Sequence, residues 1–183
     1  HDLIYGNISV ENNEIDDFII VRSDGSPVYN LTNVVDDSSM EITHVIRGED
    51  HVSNTPKQIL IYHALGFKVP IFAHLPMILG EDNKRLSKRH GAIGVNEYEK
   101  MGYQPDALLN YLALLGWNPG TEEEIFDLAS LVKNFDIRRV QKKSATYDQK
   151  KFNWISLQHL MKEDSIKVLN RLAVLDPEWG ESK

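Results

Sequence analysis

Apolar and polar positions follow two rhythms along this chain. In its first part the apolar positions come as short β-branched or aromatic runs bounded by turn residues, the mark of buried strands. Phe18-Ile19-Ile20-Val21 predicts a strand over residues 17–22. Ser23-Asp24-Gly25-Ser26-Pro27 is a turn signal, and Val28-Tyr29-Asn30-Leu31 predicts a second strand. Together they predict a hairpin that carries Tyr29 and Asn33 to its far end. Residues 33–40 predict a short helix. Residues 42–47 predict a strand that stops at Gly48 and runs into Glu49-Asp50-His51. A helix follows, with Ser53 or Thr55 as cap, Pro56 in its first turn, Ile59, Leu60, Tyr62, His63 and Leu65 on one face, and Gly66 at its end. Residues 69–79 predict a further extended run. Strand, helix, strand in this order is half of a doubly wound α/β sheet, whose ligands sit at the carboxyl ends of the strands.

The rhythm changes after Gly91. Apolar residues recur at helical spacing over 97–101, 105–115, 125–135, 148–160 and 164–175, with Pro105 opening the second of these helices, Gly116 closing it and Pro177 stopping the last. The second part is therefore helical, with Lys and Arg between the helices, and the boundary is expected over residues 82–95.

Composition narrows the chemistry. The 183 residues carry a net charge of −7, with 42% hydrophobic and 26% charged residues and no cysteine. Disulfides, thiolate zinc sites and cysteine nucleophiles are excluded. No apolar run approaches the roughly 20 residues of a membrane span. The amino terminus has neither a signal-peptide pattern nor an initiator Met, which predicts a piece of a longer chain. An acidic chain does not bind polyanions indiscriminately, so a polyanion site has to be local. Basic residues do cluster, over 82–92, at Lys133, Arg138, Arg139, Lys142 and Lys143, and at Lys150-Lys151.

The densest cluster is Asp82-Asn83-Lys84-Arg85-Leu86-Ser87-Lys88-Arg89-His90-Gly91. It predicts a mobile loop suited to a polyphosphate, with Lys88 as a point charge, Arg85 and Arg89 as planar forks and Ser87 leaving room for the backbone; a solvated charge run is the other reading. Arg47, at a strand end, suits a carboxylate, or else a structural ion pair with Glu49, Asp50 or Asp36. Tyr29 either donates its hydroxyl to the same ligand or packs in the core, and Asn33 is a parallel case. Glu49 and Asp50 suit ribose hydroxyls or Mg²⁺, or else the positive end of the following helix. His51 stacks in the pocket or is structural. His44, His51, His74 and His90 lack metal-ligand spacing, so no zinc is expected, and neither G-x-x-x-x-G-K-[ST] nor G-x-G-x-x-G occurs.

These residues converge on a resemblance. Arg85-Leu86-Ser87-Lys88-Arg89 resembles the K-M-S-K-S signature of class I aminoacyl-tRNA synthetases, in the K-L-S-K-R form of the glutamyl branch with Arg for the first Lys. Asp24-Gly25-Ser26-Pro27-Val28-Tyr29-Asn30-Leu31, Val34-Val35-Asp36-Asp37, residues 42–51, Asn54-Thr55-Pro56-Lys57-Gln58, Ala73-His74-Leu75-Pro76 and residues 107–112 resemble the bacterial glutamyl branch in the same order. The similarity covers roughly residues 1–160, and a collinear set of this kind is far more specific than any one motif.

The resemblance implies an enzyme that activates L-glutamate with ATP and Mg²⁺, forms glutamyl adenylate, and esterifies the 3′ end of glutamate tRNA. It implies that Tyr29, Asn33 and Arg47 bind glutamate. It implies that Asp50, His51, Ile78, Arg85, Leu86, Ser87, Lys88 and Arg89 bind ATP, with Lys88, Arg85 and Ser87 acting on the reaction. Residues 1–28 would be the tail of the acceptor-binding insertion, and 29–82 the second half of a Rossmann-type catalytic domain. Residues 83–160 would be the signature loop and helical stem-contact region, and 161–183 the start of the helical anticodon-binding region. A cytoplasmic monomer is expected. The family's other signature, H-I-G-H, does not occur in these residues, so no synthetase activity is expected of them alone. The competing readings are an RNA-binding module without catalysis, a paralogue that glutamylates a modified tRNA base, and the glutaminyl branch.

Overall fold

The computed structural model describes residues 1–86 and 94–175. The chain divides into two compact units, His1–Met77 and Ile78–Lys183.

The first unit is built on two parallel strands joined by a helix, as the apolar runs predict. Strand β1 (His44–Gly48) pairs with β2 (Ile71–Leu75) in a register running from His44 opposite Ile71 to Gly48 opposite Leu75. Helix α2 (Thr55–Leu65) makes the crossover, entered through a 3-10 turn over Glu49–Asn54. Pro56 lies in its first turn, and Gly66 closes it with φ 68, the left-handed conformation that glycine adopts without strain. Asn54, not Ser53 or Thr55, holds the cap position, and no side chain caps it. The buried face of α2 is Gln58, Ile61 and Tyr62, not the expected stripe. Leu60 and Leu65 face outward at 43% and 45% exposure, because the core holds only one narrow side of the helix.

Residues 17–31 do not form the expected hairpin. Val21 and Pro27 make one antiparallel bridge around the 23–26 turn, and helix α1 (Tyr29–Ser39) starts where the second strand was expected. Packing explains the difference. Val34 is fully buried against Ile61, Tyr62 and Phe72, with Leu31 beside it. Residues three apart share a face on a helix and lie on opposite faces of a strand. Only the helix buries both, and each such burial contributes on the order of 2 kcal/mol. Tyr29 and Asn33 therefore lie one turn apart on α1, not on a hairpin.

The second unit is mainly helical. It contains α3 (Val95–Lys100), α4 (Pro105–Leu114), α5 (Leu128–Asn134), α6 (Gln149–Lys162) and α7 (Ser165–Leu175). Helix α5 is shorter than the predicted 125–135 because the Asp127 side chain accepts the Ser130 N–H at 2.7 Å and starts the helix there. Asp148 caps α6 in the same way. Phe152 is fully buried at the centre of an aromatic core. It stacks on Tyr103 at 4.4 Å and Tyr111 at 4.9 Å, with Tyr98 edge-on. Buried Asn110 accepts the Phe126 N–H and donates to the Glu124 carbonyl, fixing the chain that leads into α5. Two short strands, β3 (Ile78–Leu79) and β4 (Ala145–Thr146), pair in parallel. Among the described residues, no helix is long and apolar enough to cross a membrane.

Candidate functional site

The carboxyl end of β1 gathers most of the predicted residues of the first unit. Gly48 ends the strand, and a Cβ there would stand 2.5 Å from Asp50 Oδ1. The glycine thus lets the Asp50 carboxylate fold back over the strand end. Arg47, one residue earlier, is only half-buried, yet its guanidinium is held on several sides. Nε donates to His74 Nε2 at 3.1 Å, and Nη2 donates to Thr55 Oγ1 and Gln58 Oε1, both at 2.8 Å. Phe72 lies under the guanidinium, 5.5 Å from ring centre to Cζ. No carboxylate among the described residues forms an ion pair with Arg47, so the structural pair with Glu49, Asp50 or Asp36 is not what the structure contains.

Nη1 of Arg47 is buried and has no hydrogen-bond partner. Leaving a charged donor in that state costs on the order of 1–3 kcal/mol or more, and a carboxylate is the acceptor that would remove the cost. Because Nε and Nη2 are already engaged, Nη1 is the part of the guanidinium that remains for a carboxylate. The field of Arg47 reaches Asp37: burial raises the Asp37 carboxyl above its ordinary value, against the pull of Arg47 and of the Tyr62 hydroxyl. Burial, with Asp37 alongside, pushes the Tyr62 phenol up to about 12.

Tyr29 and His51, predicted for glutamate and for ATP, meet directly. The Tyr29 hydroxyl is 3.2 Å from His51 Nδ1, and the rings are 5.7 Å apart. Tyr29 is 48% exposed, which excludes a core role. His51 also reaches Arg47, since its carbonyl accepts from Nη2 at 3.5 Å. Asn33 is half-buried on the helix that carries Tyr29. Asp50 is exposed at the strand end. Glu49, by contrast, is structural. It accepts the Met77 N–H at 2.9 Å and the Tyr5 hydroxyl, and burial together with this bond pushes the Tyr5 phenol up to about 12.

In the second unit, the backbone brings Ile78, Arg85 and Leu86 together. Leu79 and Arg85 form an antiparallel bridge, and Leu86 N–H donates to the Ile78 carbonyl at 2.8 Å. The turn between them is closed by Gly80 N–H to the Lys84 carbonyl, with Asn83 at φ 58. The start of the predicted mobile loop is therefore a tight hairpin. Ser87, Lys88 and Arg89 lie outside the described residues. Gln58 and Asn30 carry no role in the sequence reading beyond the motifs they stand in, Thr55 is expected only as a cap and His74 only as a histidine without metal-ligand spacing, yet all four lie on or next to the Arg47 network. Gln58 is fully buried and joins Arg47 to Asn30 Oδ1 at 3.2 Å. A glutamine on the inner face of an apolar helix was the available signal, since a buried amide needs partners.

Comparison with known proteins gives the family. Residues 1–154 match the family described as tRNA synthetases class I (E and Q), catalytic domain. The chain is 53% identical over 173 residues to a glutamate–tRNA ligase of Moorella thermoacetica, covering 94% of this chain and 35% of that one. It is 58% identical over 156 residues to the glutamate–tRNA ligase of Carboxydothermus hydrogenoformans, covering 85% and 32%. The crystal structure of a glutamate tRNA ligase from Elizabethkingia meningosepticum, in complex with its amino acid, superposes with a TM-score of 0.83 at 35% identity, over 92% of this chain and 37% of that one. The chain thus spans about a third of the length of the curated relatives it matches.

Proposed function

This chain belongs to the class I tRNA synthetases (E and Q), catalytic domain family, and from that premise we propose that it takes part in the ATP-dependent joining of L-glutamate to the 3′ end of its tRNA. The observation that carries the reading is the orphaned Nη1 of Arg47 at the carboxyl end of a parallel strand. Arg47 holds the side-chain carboxylate of glutamate, and Tyr29 and Asn33 on α1 complete that end of the substrate. The α-carboxylate is then the free nucleophile. It attacks the α-phosphorus of ATP, a new P–O bond forms, and pyrophosphate leaves. The terminal tRNA hydroxyl next attacks the activated carbonyl and AMP leaves. Neither step calls for a strong side-chain acid or base; placement and neutralisation of developing charge supply the acceleration.

Asp50, His51, Ile78, Arg85, Leu86, Ser87, Lys88 and Arg89 are assigned to ATP, with Lys88 on the triphosphate. Mg²⁺ is assigned to the ATP phosphates, whose charge it neutralises; among the described residues there is no group of three or more His, Asp or Glu placed to hold a metal. Residues 1–28, 29–82, 83–160 and 161–183 keep the four roles the resemblance implies, in a cytoplasmic monomer. The test is tRNA charging by the full-length protein with labelled glutamate. Arg47→Gln is expected to raise the glutamate KM by about 10- to 100-fold, the worth of a charge-assisted hydrogen bond, with the ATP KM little changed. An unchanged glutamate KM overturns the reading.

A further inference from the structure

Arg47 and His74 are register partners across β1 and β2, so their side chains rise from the same face of the sheet. What holds His74 determines what it offers Arg47. His74 is 1% exposed and Asp2 3%. Asp2 Oδ2 lies 2.7 Å from His74 Nδ1 and accepts the His74 backbone N–H at 3.0 Å. Asp2 Oδ1 accepts the N–H groups of Ile4 and Tyr5 at 2.8 and 2.9 Å. With both oxygens engaged, the carboxylate cannot rotate. The imidazole also stacks on Phe72, at 6.1 Å and 9° between planes, the ring that lies under the Arg47 guanidinium.

This geometry fixes where the imidazole proton sits. A carboxylate oxygen 2.7 Å from Nδ1 requires N–H there. A guanidinium has no acceptor, so Nε2, which receives Arg47 Nε–H at 3.1 Å, must present a lone pair. Thr55 Oγ1, 3.2 Å from the same nitrogen, can give its proton to Nε2 or to the His51 carbonyl and is compatible with both. His74 is therefore a neutral imidazole with its proton on Nδ1. The arrangement has a clear use. A carboxylate placed directly on Arg47 would orient the guanidinium and also neutralise it. A neutral imidazole orients it and leaves the positive charge for a ligand, while Asp2 stays one ring further away.

We propose that Asp2 and His74 are positioning residues for Arg47: Asp2 locks His74 as the Nδ1–H tautomer, and the His74 Nε2 lone pair aims the guanidinium so that Nη1 is left for the substrate's carboxylate. Neither residue touches the substrate. The inference rests on the reading of Arg47 as the glutamate side-chain ligand.

Two measurements on the full-length protein test it. Long-range nitrogen–proton NMR of histidine-labelled protein is expected to show His74 with a protonated Nδ1 and an unprotonated Nε2; the opposite tautomer or an imidazolium overturns the proposal. In tRNA charging, His74→Leu and Asp2→Asn are expected to raise the glutamate KM at least tenfold. The ATP KM and the kcat at saturating glutamate are expected to stay within about threefold of wild type, a split that lost folding alone does not produce. His74→Gln keeps an acceptor for Arg47 Nε and a donor for Asp2, and is expected to recover most of the glutamate KM. If Arg47→Gln raises the glutamate KM while His74→Leu does not, the positioning role fails and the functional reading stands. If neither changes it, both fail.

Discussion

From the sequence Arg47 was a candidate either for a ligand's carboxylate or for a structural ion pair, because it stands at a strand end beside acidic residues. What the sequence did not reveal is that its Nε and Nη2 are already engaged by His74, Thr55 and Gln58. Those partners come from β2 and α2, and no local spacing encodes a contact between elements 8 to 27 residues apart. Asp2 was invisible for the same reason, since its partner His74 is 72 residues away. Burial raises the Asp2 carboxyl, but hydrogen bonds from Tyr5 N–H, His74 and Ile4 N–H together hold it below its ordinary value of 3.8. A carboxyl depressed in the folded state contributes stability that is present above its unfolded value and lost as pH falls through its folded value. Hydrogen exchange at the His74 amide, corrected for its intrinsic rate, is therefore expected to lose protection on going from about pH 5 to about pH 3. Asp2→Ala should be less protected at about pH 5 and should lack that further loss. A wild type whose protection is flat over this range would rule out the linkage.

Helix ends of the second unit were predictable where they carry chemistry as well as periodicity, as at Pro105, which opens α4, and Asp148, which caps α6; the Asp127 cap that starts α5 was missed, and the prediction began two residues before it. The failures came where tertiary packing decided. Residues 28–31 are β-formers by composition, yet Leu31 and Val34 share one buried face only on a helix. Strand β4 is two residues long in a polar stretch and has no alternation to read. The α6 cap is a direct test of the end chemistry. The Asp148 side chain accepts the Lys151 N–H at 3.0 Å, and its own N–H donates to the Tyr111 hydroxyl at 2.7 Å. Asp148→Ala keeps the second bond and loses the first. It is expected to lower the stability of this unit by about 1 kcal/mol, with Asp148→Asn costing less. Urea unfolding followed through Trp117 and Trp154, both in the unit, measures it, and equal losses in the two variants would remove the cap from the explanation.

Charge is partitioned between the two units. Residues 1–77 hold four Lys or Arg against eleven Asp or Glu, the whole net charge of −7, while residues 78–183 balance at sixteen of each. Net charge favours the second unit for contacts with a polyanion, and its basic residues are not equivalent. Arg138 is held by Asp136 through three hydrogen bonds, and this contact brings the Asp136 carboxyl down to about 2. Arg139 stacks over Trp117, 5.7 Å from its ring centre. Both arginines have partners within their own unit, and the neighbouring Lys142 and Lys143 are exposed, which makes the lysine pair the variant that tests phosphate contacts without disturbing Trp117. If this region meets the tRNA stem, Lys142→Glu with Lys143→Glu should raise the tRNA KM by tenfold or more at moderate salt and leave the glutamate KM unchanged. The dependence of log K on log salt should flatten by roughly two, about one for each phosphate contact removed. The same pair of changes at Arg138 and Arg139 should disturb the fold around Trp117 as well as tRNA binding. An unaltered salt slope in the lysine variant would move the nucleic-acid surface away from residues 142–143, because a lost phosphate contact cannot leave counterion release untouched.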